Sequence, residues 1–311
     1  MRKTMLALGL LTLALASAVA QNPGPKDQIT DPEKAGPDFA VQGEYEGTVG
    51  GDKLGAQVVA KGNGKFVGHF LPGGLPGAGW DGKTKVKLEA KTDSDKTIVS
   101  GTWTGAIDQG KLTGKTADGK DFALTRVLRK SPTLGQKPPE GAIVLFDGSS
   151  AAKWNGGKIV EENLLQMGTS SKDKFGDMKL HIEFRCPYQP FAGGQGRGNS
   201  GVYINNHEVQ VLDSFGLDSK NDDCAGLYGH KAPTVNMCFP PLAWQTYDIE
   251  YKLARKDGDK LIGPRYTVYH NGVKVHDDVE VKGKEEKPGG INLQNHGNPV
   301  YFKNIWVVEA K

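Results

Sequence analysis

Short runs of β-branched and aromatic residues, separated by turn residues, alternate along almost the whole chain. The turn signals include Gly62-Asn63-Gly64, Ala117-Asp118-Gly119 and Asn271-Gly272, each lying between two such runs. Runs and turns at this spacing are typical of antiparallel strands. Almost no segment keeps the i, i+3, i+4 apolar spacing of an amphipathic helix, and the 43 glycines suit tight turns. The sequence therefore predicts an all-β protein.

The N-terminus carries the pattern of a secretory signal peptide. Arg2 and Lys3 precede the apolar run Met5–Ala16, and the small residues Ala18-Val19-Ala20 fit a cleavage site. This order predicts a signal peptide over residues 1–20 and export to the periplasm or out of the cell. The apolar run is too short to span a membrane.

Composition divides the rest of the chain into four parts. Residues 21–38 are rich in Pro, Asp and Lys, which predicts a flexible leader. Residues 39–129 hold short strand-like runs and predict a small antiparallel β meander, a barrel or a sandwich, of unknown role. Residues 130–140 are predicted to be a linker, and residues 141–311 a larger two-sheet jelly-roll sandwich.

Charge limits the partners that this chain can be expected to bind. The formal net charge is only +3, which gives no argument for a nucleic acid or an anionic membrane surface. No later segment is apolar enough to cross a membrane. The oligomeric state stays open.

Three cysteines, Cys186, Cys224 and Cys238, follow the predicted cleavage site. One pair and one spare thiol is the natural count in an oxidising compartment. Cys224 and Cys238 bracket a short loop-like segment, and we predict a disulfide between them, worth roughly 3 kcal/mol in the chain-entropy account. Cys186 ends an alternating strand and is expected to pack as a small apolar residue.

The segment of residues 198–216 predicts a β-hairpin with Asn205-Asn206 at its turn, because Asn tolerates the positive φ that a two-residue turn needs. This register pairs Tyr203 with Glu208. Alternation along the strands then gives an apolar face and a polar face. The apolar face holds Val202, Val209 and Val211, and the polar face holds Tyr203, Glu208 and Gln210. From the hairpin alone, a ligand site and a solvated surface are equally good interpretations.

Three loops add further polar candidates. The glycine-rich segment 191–198 predicts a mobile rim loop with one cation, Arg197, since it lacks the Lys-Ser/Thr of a phosphate loop. Residues 222–236 predict a binding loop with Tyr228 and Lys231. Residues 292–298 place Gln294 and His296 on one face of a strand. The chain contains no metal-binding spacing, and a divalent ion held by Glu208 and His296 stays open.

Several motifs after the linker resemble one family. They are LFDGSS with Trp154, RGNSGVYI, EVQVLDSFG, CAGLYGHKAP, WQTYDIEY, HNGV and INLQNHGNPVYFKNIW. In this order, over about residues 138–311, they resemble the 3-keto-disaccharide hydrolases, also described as 3-keto-glucoside 1,2-lyases and 3-keto-2-hydroxy-glucal hydratases. The resemblance implies a concanavalin-like jelly roll whose concave sheet face holds a sugar site.

The resemblance also implies a chemistry for the candidate residues. A ketone at C3 of a sugar makes the C2 hydrogen acidic, so a base can remove it, the C1–O bond can break, and water can add back. Glu208 is the leading candidate for the base, or for a metal ligand, and His296 for its acid–base partner. The predicted donors are Tyr228, Lys231 and Arg197, and the predicted sugar contacts are Asn199, Tyr203, Gln210, Gln294, Asp213 and Trp154.

Two other functions stay open at this point. A conventional glycoside hydrolase would use Glu208 and Asp213 as its two carboxylates. Strict alternation puts Asp213 on the opposite face from Glu208, and a β-bulge near residues 211–212 would bring it back. A non-catalytic carbohydrate-binding protein would keep the aromatic and amide contacts and need no base.

Overall fold

Antiparallel strands form almost all of the regular structure, which confirms the all-β prediction. The computed structural model describes residues 21–161 and 163–310, so the predicted signal peptide lies outside the described residues. Within these described residues, regular helix is limited to the short α1 (Pro37–Val41) and two 3-10 turns, Pro32–Lys34 and Gly194–Gly196. No helix of the described chain has the length and apolarity needed to cross a bilayer.

The first domain is a closed barrel in which eight antiparallel strands follow one another in chain order. Alternate residues of each strand point inward, and the interior is filled by large side chains such as Tyr45, Phe66, Phe70 and Phe122. The strands are β1 (Gly43–Val49), β2 (Asp52–Ala60), β3 (Lys65–Pro72), β4 (Val86–Asp93), β5 (Lys96–Ser100), β6 (Thr104–Asp108), β7 (Lys111–Lys115) and β8 (Asp121–Val127).

The second domain is a sandwich of a five-stranded and an eight-stranded sheet, with a separate two-stranded hairpin. Its strands are β9 (Ile143–Phe146), β10 (Trp154–Asn155), β11 (Ile159–Val160), β12 (Leu164–Gln166), β13 (Thr169–Ser171), β14 (Met178–Arg185), β15 (Ser200–Ile204), β16 (His207–Val211), β17 (Gln245–Lys252), β18 (Arg255–Asp257), β19 (Lys260–Ile262), β20 (Arg265–His270), β21 (Val273–Glu280), β22 (Ile291–Leu293) and β23 (Tyr301–Glu309).

Strand order places the two faces of this sandwich. The smaller sheet has the order β10-β13-β22-β15-β16, and the larger has β11-β12-β23-β14-β17-β20-β21 with β9 beside β23. Their inner faces share one apolar core, to which Val202 and Val209 contribute from the smaller sheet and Ile182 and Phe184 from the larger. The outer face of the smaller sheet is therefore free to carry polar side chains.

The two domains share their apolar cores at a seam. Val59 of the barrel packs in the sandwich core, while Tyr188 and Leu242 of the sandwich pack in the barrel core. Arg129, just after the barrel, donates to both carboxylate oxygens of buried Glu44, from Nε at 2.6 Å and Nη2 at 2.5 Å. The Arg129 guanidinium also lies 5.0 Å from the centre of the Phe239 ring.

The segment that the sequence predicts as a flexible leader is instead docked on the seam. Ile29 and Tyr188 exchange two backbone hydrogen bonds, at 3.1 and 2.8 Å. Ala35 is fully buried in the barrel core, and Asp38 accepts a bond from the Gly64 backbone. The prediction fails because these partners are far along the chain and leave no local sequence signal.

The predicted linker is fixed to the outer face of the larger sheet. Thr133 Oγ1 donates to Asp248 Oδ2 at 2.8 Å, and the Gly135 N–H donates to Glu183 at 2.5 Å. Between these two carboxylates lies the buried ring of His181, 2.6 Å from Asp248. Burial lowers the pKa of His181, but its hydrogen bonds to both carboxylates outweigh burial and raise it.

The predicted disulfide is absent from the structure, where all three cysteines are free and buried. The Cys224 Sγ atom lies 3.1 Å from the Tyr247 hydroxyl. The Cys238 Sγ atom lies 3.4 Å from the Phe239 carbonyl. Burial and then a side-chain hydrogen bond with Cys224 raise the pKa of the Cys238 thiol, so the two predicted partners lie side by side as thiols. Backbone hydrogen bonds to β16 hold the segment between them. Cys186 packs in the sandwich core, as predicted.

Replacing Arg129 with Met should destabilise the protein by roughly 3–5 kcal/mol, because Glu44 would be left charged and buried without its partner. Urea unfolding of the full chain measures this cost. Lys115→Met removes one side of the exposed Lys115–Asp121 pair and should cost at most about 1 kcal/mol. Equal costs for the two variants would contradict a central role of Arg129.

Candidate active site

The central hairpin has the predicted register. β15 and β16 pair Tyr203 with Glu208 and Val202 with Val209. The turn residues Asn205 and Asn206 have φ values of 48° and 79°, the positive values that a two-residue hairpin turn requires. The hairpin therefore presents Glu208 and Gln210 on the outer face of the smaller sheet, as the sequence predicts.

Neighbouring segments widen this face into two rows of residues. The Tyr228 N–H donates to the Glu208 carbonyl at 3.1 Å, so Tyr228 extends the row of Glu208 and Tyr203. In the next row, the Gln294 N–H donates to the Gly201 carbonyl at 2.9 Å, and Gly201 pairs with Gln210. The rows are Tyr228, Glu208, Tyr203 and Asn292, and Gly226, Gln210, Gly201 and Gln294.

Glu208 is a buried carboxylate with only one of its two oxygens engaged. It is 8% exposed, and its Oε2 accepts a hydrogen bond of 2.8 Å from the Tyr203 hydroxyl. That hydroxyl in turn accepts from Gln294 Nε2 at 3.2 Å. Glu208 Oε1 is buried and has no partner among the described residues. Burial raises the pKa of Glu208, and the bond from Tyr203 offsets part of this rise.

Gly201 makes room for the Glu208 carboxylate. A Cβ atom at this position would overlap Glu208 Oε1, with the rest of the carboxyl group also in contact. The carboxylate therefore lies over Gly201, in the row between Gln210 and Gln294. Glycine is required here for the close approach of a side chain rather than for an unusual backbone conformation.

Gln195 orders the amides beside Glu208, and the sequence reasoning missed it. Its Oε1 accepts from Asn199 Nδ2 at 2.9 Å and from Gln210 Nε2 at 3.0 Å. Its own Nε2 donates to the Asp222 carbonyl at 2.8 Å. Gln195 lies in the 3-10 turn of the glycine-rich loop. This loop has no alternating strand pattern, so the sequence does not indicate which way the Gln195 side chain points.

Asp213 gives Glu208 no second carboxylate. β16 ends at Val211, and Asp213 follows it, 3% exposed, with Oδ2 accepting from Arg197 Nε at 2.6 Å. Its Oδ1 accepts from the Phe215 N–H. Both carboxylate oxygens of Asp213 are therefore engaged by partners other than Glu208 and Tyr203. Arg197 is itself 5% exposed, and its Nη2 is buried and has no partner in the described chain.

Three other candidates differ in their distance from Glu208. Tyr228 is next to Glu208 in its row and is 44% exposed, so its hydroxyl can reach a ligand. His296 is exposed in the loop after β22, and the structure gives it no contact with Glu208. Lys231 pairs with Leu227 through the backbone, and its charge acts on buried His276. Lys231 thus lies off the polar face.

Trp154 does not contribute to the face. It is 3% exposed in the sandwich core, and its Nε1 donates to the Leu145 carbonyl at 3.0 Å. The prediction of sugar stacking by Trp154 is therefore wrong. The motif places this residue beside a turn, but its ring fills the end of the core.

A metal ligand set of the ordinary kind is not found. In residues 21–161 and 163–310, no three His, Cys, Asp or Glu side chains are grouped so that they could hold an ion. In the predicted pair, Glu208 has Tyr203 as its hydrogen-bond partner, and no hydrogen bond joins it to His296.

Unpartnered polar atoms, rather than cavity size, distinguish this face. Two grooves of about 690 and 430 Å³ lie between the leader and the sandwich and beneath the linker. Within the described chain, neither is lined by a buried polar side-chain atom that lacks a partner. On the polar face there are four such atoms: Asn199 Oδ1, Glu208 Oε1, Gln210 Oε1 and Gln294 Oε1. Such groups call for a ligand or water.

Comparison with known proteins places the sandwich domain in a family. The family of 3-keto-alpha-glucoside-1,2-lyase-like domains matches residues 141–308. A crystal structure from Parabacteroides distasonis ATCC 8503, provisionally described as a glycosyl hydrolase, shares 30% identity. It covers 55% of this chain and 85% of its own, with a TM-score of 0.51. A search of curated protein sequences finds no significant match.

Two further structures from that organism bear the same provisional description. Their identities are 17% and 19%, and both TM-scores are 0.40. They cover 60% and 54% of this chain and 99% of their own. At this level they carry no argument about the site.

The fold, the family match and the 30% identical neighbour together define a β-sandwich protein of the carbohydrate-active class. The chain belongs to the family of 3-keto-alpha-glucoside-1,2-lyase-like domains, which confirms the family resemblance found in the sequence. The barrel and the leader lie outside the matched residues.

Gly201→Ala should lower kcat/KM on a 3-keto disaccharide by about 10²-fold, because the new methyl group displaces the Glu208 carboxylate and small misplacements cost that much. Gly193→Ala is the matched control, since a Cβ there meets open space. Steady-state kinetics of both variants makes the comparison. Wild-type activity in Gly201→Ala would show that the position of Glu208 does not matter.

Proposed function

We propose that this chain is an exported enzyme that cleaves 3-keto-glycosides by elimination followed by hydration. The observation that carries the proposal is the buried carboxylate of Glu208, which is held by Tyr203, has one oxygen without a partner in the described chain, and has a raised pKa. A raised pKa makes a carboxylate a stronger base once it is ionised. Family membership supplies the substrate class.

The reaction begins with proton transfer to Glu208. The C3 ketone allows the electron pair of the C2–H bond to move into an enolate, while Glu208 Oε1 takes the proton. The enolate then collapses, the C1–O bond breaks, and the leaving oxygen takes up a proton. Addition of water returns a hydrogen to C2 and places a hydroxyl on C1, so the net result is hydrolysis.

The side chains around Glu208 divide the remaining tasks. Burial and the bond to Glu208 raise the pKa of Tyr203, so Tyr203 stays protonated and holds the carboxylate in place. Tyr228, exposed and next to Glu208, is the nearest proton donor for the leaving oxygen or the enolate. His296 remains the second candidate acid, and the free Nη2 of Arg197 a second donor.

The geometry argues against the conventional glycoside hydrolase. That mechanism needs two carboxylates facing the same bond, about 5–9.5 Å apart. Asp213 is buried in its ion pair with Arg197, and both of its oxygens already accept hydrogen bonds. A purely binding protein would have no need of a base with a raised pKa.

Glu208→Gln should abolish the exchange of the substrate C2 proton with deuterated solvent, because the amide cannot accept a proton. NMR follows this exchange on a 3-keto disaccharide, with the unoxidised disaccharide in parallel. Glu250→Gln, on the larger sheet, is the control and should exchange normally. Exchange at the wild-type rate in Glu208→Gln would remove Glu208 as the base, and cleavage of the unoxidised sugar would favour conventional hydrolysis.

The acidic limb of the pH–rate profile should report Glu208. Because the base must be ionised, kcat/KM should fall as pH drops through its pKa, which lies above the ordinary value of 4.5. Tyr203→Phe removes the hydrogen bond that lowers this pKa, so the limb should move to higher pH. Tyr228→Phe should leave the limb in place, even if it lowers kcat. An unmoved limb in Tyr203→Phe contradicts the assignment.

A further inference from the structure

We infer that Asn199, Gln210 and Gln294 form a hydroxyl-reading set that restricts the substrate to neutral sugars with free hydroxyl groups. The inference rests on the proposed function, since it assigns the sugar specificity of the same face. It starts from the three amide oxygens of these residues, which are buried and unpartnered within the described chain. Every one of them is a hydrogen-bond acceptor.

Neighbouring groups determine which atom of each amide, the nitrogen or the oxygen, is left without a hydrogen-bond partner. Asn199 Nδ2 donates to both the backbone and the side-chain oxygen of Gln195, at 2.8 and 2.9 Å. Gln210 Nε2 donates to Gln195 and to the Asp222 carbonyl. Gln294 Nε2 donates to Tyr203, whose own proton goes to Glu208. Turning over Asn199 or Gln210 would place oxygen against oxygen, and turning over Gln294 would place its oxygen against that of Tyr203, whose proton goes to Glu208. The unpartnered atom is therefore the oxygen in all three amides.

The three amides surround the reacting carboxylate. Gln210 and Gln294 lie on the two strands beside Gly201, and Asn199 lies two residues before it on the same face. Glu208 Oε1 lies over Gly201 itself. A sugar ring placed with C2 against Glu208 therefore meets the amide oxygens at its edges.

An acceptor-only edge selects for particular substituents. A sugar hydroxyl can donate to an amide oxygen, whereas an ether, a carboxylate or a sulfate can only accept and would be left facing a like dipole. The C3 ketone oxygen can only accept a hydrogen bond, so its partners are the donors Tyr228 and Arg197. Hydroxyls other than that at C3 are therefore the groups that the amide oxygens read.

Binding to the inactive Glu208→Gln chain tests this inference. The probes are methyl 3-keto-glucoside, its 2-, 4- and 6-deoxy analogues, and the analogue with a carboxylate at C6. We expect at least one deoxy analogue and the carboxylate analogue to bind about tenfold or more weakly, because a buried acceptor then stays unpaired. Isothermal titration calorimetry measures each affinity.

Variants then assign the effect to residues. In the Glu208→Gln background, replacing Asn199 with Leu, or Gln210 or Gln294 with Met, should each weaken binding of the parent sugar and abolish the penalty for one deoxy analogue. Gln109→Met, on an exposed barrel turn, should change nothing. Penalties that persist unchanged in all three variants, or no penalty in the first place, overturn the inference. Failure of the parent keto sugar to bind would instead count against the proposed function.

Discussion

The two-residue turn at Asn205-Asn206 determines which side chains meet the ligand. Because side chains alternate along a strand, a slip of one residue would turn Val202 and Val209 outward and bury Glu208 in the core. The positive φ of both asparagines fixes the register, and the valines reinforce it by packing against the larger sheet. The position of Glu208, its bond to Tyr203 and its nearness to Gly201 all depend on this register.

Around the hairpin, a network of amides converts a strand face into an oriented surface. Gln195 accepts from two amides at once, and Tyr203 transmits the same constraint from Gln294 to Glu208. In this network the side-chain nitrogens of Asn199, Gln210 and Gln294 all donate to protein acceptors, and their amide oxygens are left unpaired. Burial raises the pKa of Glu208, and among neutral amides only the hydrogen bond from Tyr203 offsets part of this rise.

The sequence predicts the parts of this structure that depend on local rules. Asn-Asn turn chemistry and alternation give the hairpin register and the polar face, and the family motifs give the sandwich. Asp213 could not be placed, because it follows the strand end and its partner Arg197 is 16 residues away. The docked leader, the burial of Trp154 and the role of Gln195 likewise depend on contacts made across the fold, which periodicity does not record.

The shared seam has a consequence for how such a site can evolve. The Phe191 ring rests on Gly62 in a turn of the barrel, and the loop that Phe191 begins carries Gln195. The barrel turn at Gly62 thus helps to position the loop that carries Gln195, and through it the polar face. Substitutions in the barrel can therefore shift Gln195 while every residue on the polar face stays the same. The two domains would then diverge together, as one inherited unit.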